Sequence, residues 1–189
     1  RKCAEICKEE WVLCWFRWVY DFPANICISL NDSVVHWYAK IWEVLKKWDV
    51  AKFDFWVKDK IYWVNTDAAF TVIVWDGPHE PVLEKMLEAN KKALYAWIEK
   101  ARAWNRVWDI SAAIQKEIET PWYKVVRDLT WHWVWKTLHE KPYIPNFWNP
   151  WKWVLIQKWM VLAIEPIVGQ SSWEIYEKFS GKFRLGSFN

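Results

Sequence analysis

Glycine is nearly missing from this chain: 4 residues in 189, against about 7% in an ordinary protein. Only glycine takes positive φ freely, so a chain this poor in it has few residues suited to tight turns. Long apolar runs are missing as well. None approaches the roughly 18 uncharged residues of a membrane span, and those present are strand-length. The expectation is a soluble protein with no membrane partner. An excess of one charge is also absent, since 26 Lys and Arg against 23 Asp and Glu leave +3, spread along the chain, so no nucleic acid or other polyanion is implied. Cys3, Cys7, Cys14 and Cys27 crowd the first 27 residues with no CxxC pair and no matching histidine spacing. That argues against zinc and against a disulfide framework, and fits reduced thiols in a cytoplasmic protein. The chain starts at Arg1 rather than methionine, and both ends read as cut.

What it has instead is tryptophan, 21 residues of it, placed where turns ask for glycine. Lys46-Lys47-Trp48-Asp49, Asn149-Pro150-Trp151-Lys152-Trp153 and Gln157-Lys158-Trp159-Met160 are polar stretches between apolar runs, which are turn positions. Trp131-His132-Trp133-Val134-Trp135 sets three indoles around one histidine. Some genetic codes read UGA as glycine and others as tryptophan. Translation under the wrong table would change every UGA glycine and spare GGN glycines, of which Gly77, Gly169, Gly181 and Gly186 would be the survivors. Taken literally, the indoles imply a stacking binder of single strands or carbohydrate, but their positions give no repeating spacing for a ligand track.

A chain of 189 residues fits one domain, residues 1–189, with a sizeable core. Arg1 to Glu10 reads as the last turns of a helix, and Ile26 to Leu30 alternates as a strand does. Val50–Val57 and Thr66–Val74 are β-rich and are expected to pair as an antiparallel hairpin. Leu83 to Ala103 carries Leu83, Met86, Leu87, Leu94 and Ile98 at helical spacing. A second helix is expected from Asp109, as N-cap, to Thr120, closed by Pro121. Tyr123–Arg127 and Met160–Val168 then read as strands. The expected fold class is α+β, with helices on one face of a curved sheet.

The chemistry-bearing residues lie on those strands. Asp54 is flanked by Phe53 and Phe55, and Asp67 stands in Thr66-Asp67-Ala68-Ala69-Phe70, so both are expected to be largely buried. A buried carboxylate pair calls for a metal ion or a retained proton. With His132, His139 and Glu165 they form a set whose oxygens and imidazoles suit Mn, Fe, Co or Zn. Singly, each has a plainer role, as turn cap or hydrogen-bonded core residue.

With tryptophan read as glycine, the chain resembles the type I methionine aminopeptidases of pita-bread fold, from about Phe22 to Val168. The strings that carry the resemblance are Phe22 to Asp32 with Val34-Val35-His36-Trp37, Phe53-Asp54-Phe55-Trp56-Val57, Thr66 to Phe70, Thr130 to Trp135 with Leu138-His139-Glu140-Lys141-Pro142, and Ala163-Ile164-Glu165-Pro166. Their spacing also agrees: 18 residues from His36 to Asp54, 7 from His132 to His139 and 26 from His139 to Glu165. The resemblance implies Asp54, Asp67, His132 and Glu165 as ligands of two divalent metal ions (Co, Mn, Fe or Zn), with Asp67 bridging them and Glu165 carrying protons. A bridging hydroxide would be the nucleophile. It further implies His139 on the tetrahedral oxyanion, His36 on the scissile amide, and Cys27 and Leu138 as walls of the methionine pocket; plain core packing is the other reading of Cys27.

There are three departures from the family pattern. Asp54 and Asp67 are 13 residues apart, two more than usual there, and an even insertion keeps both side chains on one face. The family's fifth ligand is a later glutamate that the chain does not reach before Asn189. After Lys178 the text is expected to have left the family pattern through a frameshift or truncation, and the fragment to be weakly active or inactive. Trp131 and Trp133, taken literally, are expected to fill the substrate's space beside His132. The implied partners are nascent polypeptide N-termini near the ribosome, acted on by a monomer. The alternatives are a proline-directed aminopeptidase of the same fold and a metal-free homologue that only binds.

Overall fold

The computed structural model describes residues 2–18, 22–40, 42–75, 77, 81–148, 154–179 and 182–185. The chain divides into two units, one of Arg1–Gly77, Val134–Glu140 and Glu177–Arg184, the other of Pro78–Trp133, Lys141–Tyr176 and Leu185–Asn189.

In the first unit, helix α1 (Lys2–Glu9) leads into β1 (Val12–Cys14), a 3₁₀ turn (Trp15–Trp18), β2 (Cys27–Leu30), β3 (Val50–Asp59) and β4 (Asn65–Ile73). The long β3 organises the sheet. All of β4 pairs antiparallel with it, from Val50↔Ile73 to Lys58↔Asn65, so the expected hairpin is present. The other edge of β3 is shared: β1 takes one end through Val12↔Asp59 and β2 the other through Cys27↔Asp54. Phe53 and Phe70 stand opposite each other with ring centroids 4.9 Å apart, a cross-strand pair contributing roughly 0.2–1 kcal/mol. The hairpin loop is shaped by the Asp59 carboxylate, which accepts the backbone N–H groups of Ile61 at 3.0 Å and Tyr62 at 2.8 Å. Asn65 then ties in the 134–140 segment by donating its side-chain amide to the carbonyls of Trp135 and Lys136, both at 2.9 Å.

The second unit holds α2 (Pro81–Lys100), α3 (Val107–Glu119), β5 (Lys124–Val125), β6 (Thr130–Trp133), most of β7 (Glu140–Pro145), β8 (Leu162–Ala163) and β9 (Val168–Gly169). Strand β6 lies between β7 and β8, and β5 pairs with β9. A final ribbon pairs β10 (Ile175–Phe179) with β11 (Lys182–Leu185). The helices pack through Ala89, Ala93 and Trp97 of α2 and Ile110, Ile114 and Ile118 of α3, each set recurring every four residues on one face. Each fully buried isoleucine contributes about 1.5–3 kcal/mol.

Three local expectations are corrected. The N-cap of α3 is Arg106, and Asp109 sits three residues inside, where its carboxylate accepts the Arg106 backbone N–H at 2.9 Å. Met160–Val168 is not one strand: only Leu162–Ala163 and Val168–Gly169 pair, because Pro166 in between has no N–H to give a ladder. The thiols are not all reduced, since Cys7 and Cys14 form a disulfide with Cα atoms 6.2 Å apart, brought together by the reversal between α1 and β1.

Among the described residues, seven tryptophans have positive φ: Trp11, Trp48, Trp63, Trp75, Trp104, Trp122 and Trp159. Trp11 stands just past the end of α1, where glycine ordinarily closes a helix, and Trp104 and Trp122 lie in the turns that follow α2 and α3. Trp48 and Trp159 are the residues singled out in the sequence as turn tryptophans, at φ 75 and 72. The Asn149–Trp153 stretch lies outside the described residues.

Candidate functional site

Strand period places Lys52, Asp54 and Trp56 on one face of β3. Their partners across the ladder are Thr71, Ala69 and Asp67 on β4, while Cys27 of β2 stands opposite Asp54. Asp54, Asp67 and Cys27 therefore share a face, as the even insertion in the loop requires. Both aspartates are half-buried as residues, and one carboxylate oxygen of each, Asp54 Oδ1 and Asp67 Oδ1, is buried.

Trp56 is the buried centre of this face. Its ring lies parallel to Phe16 at 3.8 Å and meets the His36 and His139 rings edge-on at 5.9 and 5.4 Å. His36 is held at φ 56, a left-handed conformation that costs a non-glycine residue on the order of 1–3 kcal/mol and clusters at functional sites. Leu138, beside His139, is buried. The first unit thus gathers Cys27, His36, Asp54, Asp67, Leu138 and His139. Burial first, then the Asp54 charge, pushes the Cys27 thiol up to about 12, against a hydrogen bond with Ser29, so it stays protonated. Burial also pulls the Lys52 ammonium down to about 8, and its Nζ donates to the Asn31 carbonyl at 2.6 Å. Sequence reasoning missed Lys52 and Trp56 as members of this face, although their even spacing from Asp54 on one strand was the available signal.

The second unit holds His132 on β6 and Glu165. His132 is buried, its Nε2 lies 3.9 Å from Glu165 Oε1, and its Nδ1 is 3.1 Å from the Trp133 carbonyl. An Nδ1–H donated to that carbonyl leaves Nε2 with the lone pair, the form in which imidazole takes a metal. The chemistry of these donors fits a divalent cation: hard carboxylate oxygens with imidazole. Trp131 and Trp133 alternate with His132 along β6 and so project from the opposite face. Trp131 is buried against Trp97, with centroids 3.8 Å apart, and donates its indole N–H to Asn146. The expectation that an indole fills the space beside His132 is therefore corrected for Trp131, which belongs to the core. The indole set among the named site residues is Trp56.

Residues 5–186 match Metallopeptidase family M24, so the family pattern extends past Lys178 and begins before Phe22, contrary to the narrower span read from the sequence. The methionine aminopeptidase of Clostridium perfringens is 36% identical over 160 residues, covering 85% of this chain and 62% of its own. That of Aquifex aeolicus is 37% identical over 166 residues, covering 85% and 61%. The chain thus spans about three fifths of the length of the curated relatives it matches. Among solved structures, the methionine aminopeptidase of Thermotoga maritima superposes with a TM-score of 0.89 at 30% identity, over 96% of this chain and 72% of that one.

Proposed function

The chain belongs to metallopeptidase family M24 and has its pita-bread fold; from that premise we propose that it removes N-terminal methionine from polypeptides by metal-dependent hydrolysis. The observation that carries the reading is the placement of Asp54 and Asp67 on one face of the β3–β4 hairpin in the unit that also carries His36 and His139. In this reading the two units make one metallopeptidase domain, residues 1–189. Asp54 and Asp67, with His132 and Glu165, are proposed to hold two divalent ions of Co, Mn, Fe or Zn. Such ions supply acidity to a water and polarise the scissile carbonyl.

The chain's own residues do the rest. Glu165 takes a proton from the attacking water and returns it to the leaving amine. His139 donates to the oxygen on which negative charge develops, and His36 holds the scissile amide. Cys27, kept neutral, and Leu138 wall the side-chain pocket. No described helix is long and apolar enough to cross a membrane, and the proposed setting is the cytoplasm, with nascent chains near the ribosome as substrate and a monomer acting on them. The relatives described above bear names that favour methionine over proline specificity.

The test is methionine release from a Met-Ala-Ser peptide by the chain loaded anaerobically with Co(II) or Mn(II). Release that disappears with chelator and in Asp67→Asn is the expected outcome. Tight peptide binding without hydrolysis, and without bound metal, would favour the binding-module reading.

A further inference from the structure

The first unit carries a group of soft ligands, distinct in residues from the proposed hydrolytic centre. Cys3 and Cys7 are four apart on α1 and so lie on one face of the helix. The chain then turns back through Trp11 at φ 57, and β1 delivers Cys14. The three sulfurs all lie within 4.8 Å of one another. Cys7 is buried, while Cys3 and Cys14 are half-buried, which leaves a way in. The Cys14 sulfur also sits 3.8 Å from the Cys3 carbonyl oxygen, so the corner is closed on itself through these residues.

We propose that Cys3, Cys7 and Cys14 form a three-thiolate site for a soft d10 cation, Zn(II) or Cu(I), available once the Cys7–Cys14 bond is reduced. Tetrahedral zinc–sulfur bonds of about 2.3 Å set sulfurs roughly 3.8 Å apart, so the Cys7 and Cys14 sulfurs part once their bond is reduced, while Cys3, within 4.8 Å of both, needs to close by no more than about 1 Å. Thiolate donors select such ions and reject magnesium or calcium. Opening the site is a two-electron step: a dithiol reductant transfers two electrons and two protons to the Cys7–Cys14 pair and becomes a disulfide itself. Metal binding then releases the thiol protons. The oxidised chain has one thiol left in the cluster and holds no metal there. Sequence spacing concealed the site because Cys14 joins it through the turn at Trp11.

Co(II) titration of the full chain, reduced with a dithiol and desalted anaerobically, tests this. A near-ultraviolet thiolate-to-cobalt charge-transfer band should rise to saturation and be displaced by Zn(II). It should be weakened at least tenfold in Cys3→Ser and Cys14→Ser, and be absent from the oxidised chain. Cys27→Ser and Asp67→Asn should leave it intact, and the latter separates it from the carboxylate centre, whose ligands give no such band. Oxidised Cys3→Ser should still form the Cys7–Cys14 bond by mass after alkylation, showing that its corner folds. No band in the reduced chain, or a band unchanged in Cys3→Ser, would overturn the proposal.

Discussion

Replacing Trp104, Trp122 and Trp159 with glycine should stabilise the chain. All three have positive φ, at 79, 72 and 72, and they are 73%, 83% and 93% exposed, so little packing is lost with the indole. A left-handed conformation costs a residue with a Cβ about 1–2 kcal/mol. Glycine relieves that cost but brings more freedom to the unfolded chain, which offsets roughly 0.4–1 kcal/mol. The net gain is about 0.5–1 kcal/mol per site, or roughly 1.5–3 kcal/mol for the triple variant if the sites act independently. At this chain length that raises Tm by roughly 3–12 °C. The control is Trp18, equally exposed at 71% but in the 3₁₀ turn Trp15–Trp18, where φ is negative. Trp18→Gly should lower stability by about 0.5–1 kcal/mol. Urea denaturation followed by far-ultraviolet circular dichroism reads both. A triple variant no more stable than the parent, or a control that gains as much, would refute the conformational argument and with it the view that this backbone was shaped for glycine.

Trp56→Gly should open the space between His36 and His139 and raise peptide hydrolysis by the metal-loaded chain about tenfold, 1.4 kcal/mol in transition-state terms; an unchanged kcat/KM would show that the indole does not obstruct substrate. Asp67→Asn should weaken metal binding in a calorimetric titration by at least about tenfold, and an unaltered isotherm would remove Asp67 from the ligand set. Asp49 accepts hydrogen bonds from the Asn31 side chain and the Lys46 backbone, which hold its carboxyl below its ordinary value of 3.8. Because the folded form favours the charged carboxylate, that contribution is present above pH 3.8 and is lost as pH falls through the lower folded value. Asp49→Asn should flatten the stability profile in this acidic window, and a profile that keeps the parent's slope there would assign the dependence to other groups.

The sequence by itself determined the secondary elements that rest on strong local periodicity. The β-rich runs Val50–Val57 and Thr66–Val74 specified a hairpin, and an even insertion between Asp54 and Asp67 specified that they share a face. The helical spacing of Leu83 to Ile98 specified α2 to within a few residues of its ends. Turn chemistry was equally legible, because Trp48 and Trp159 stand where polar residues interrupt apolar runs and the backbone there has positive φ. Short elements were not legible: Leu162–Ala163 and Val168–Gly169 are fixed by pairing with distant strands rather than by their own pattern.

Only the tertiary structure decided which indoles are turn residues and which are core. Trp131 and Trp133 read alike beside His132, yet one is sealed against Trp97 and the other is half-buried. Only folding, too, set Trp56 against both His36 and His139, and Cys14 beside Cys3 and Cys7. Periodicity is a property of neighbouring residues, so the chain states its own strands and helices. Contact across a reversal depends on where other elements end, and that information exists only once the chain has folded.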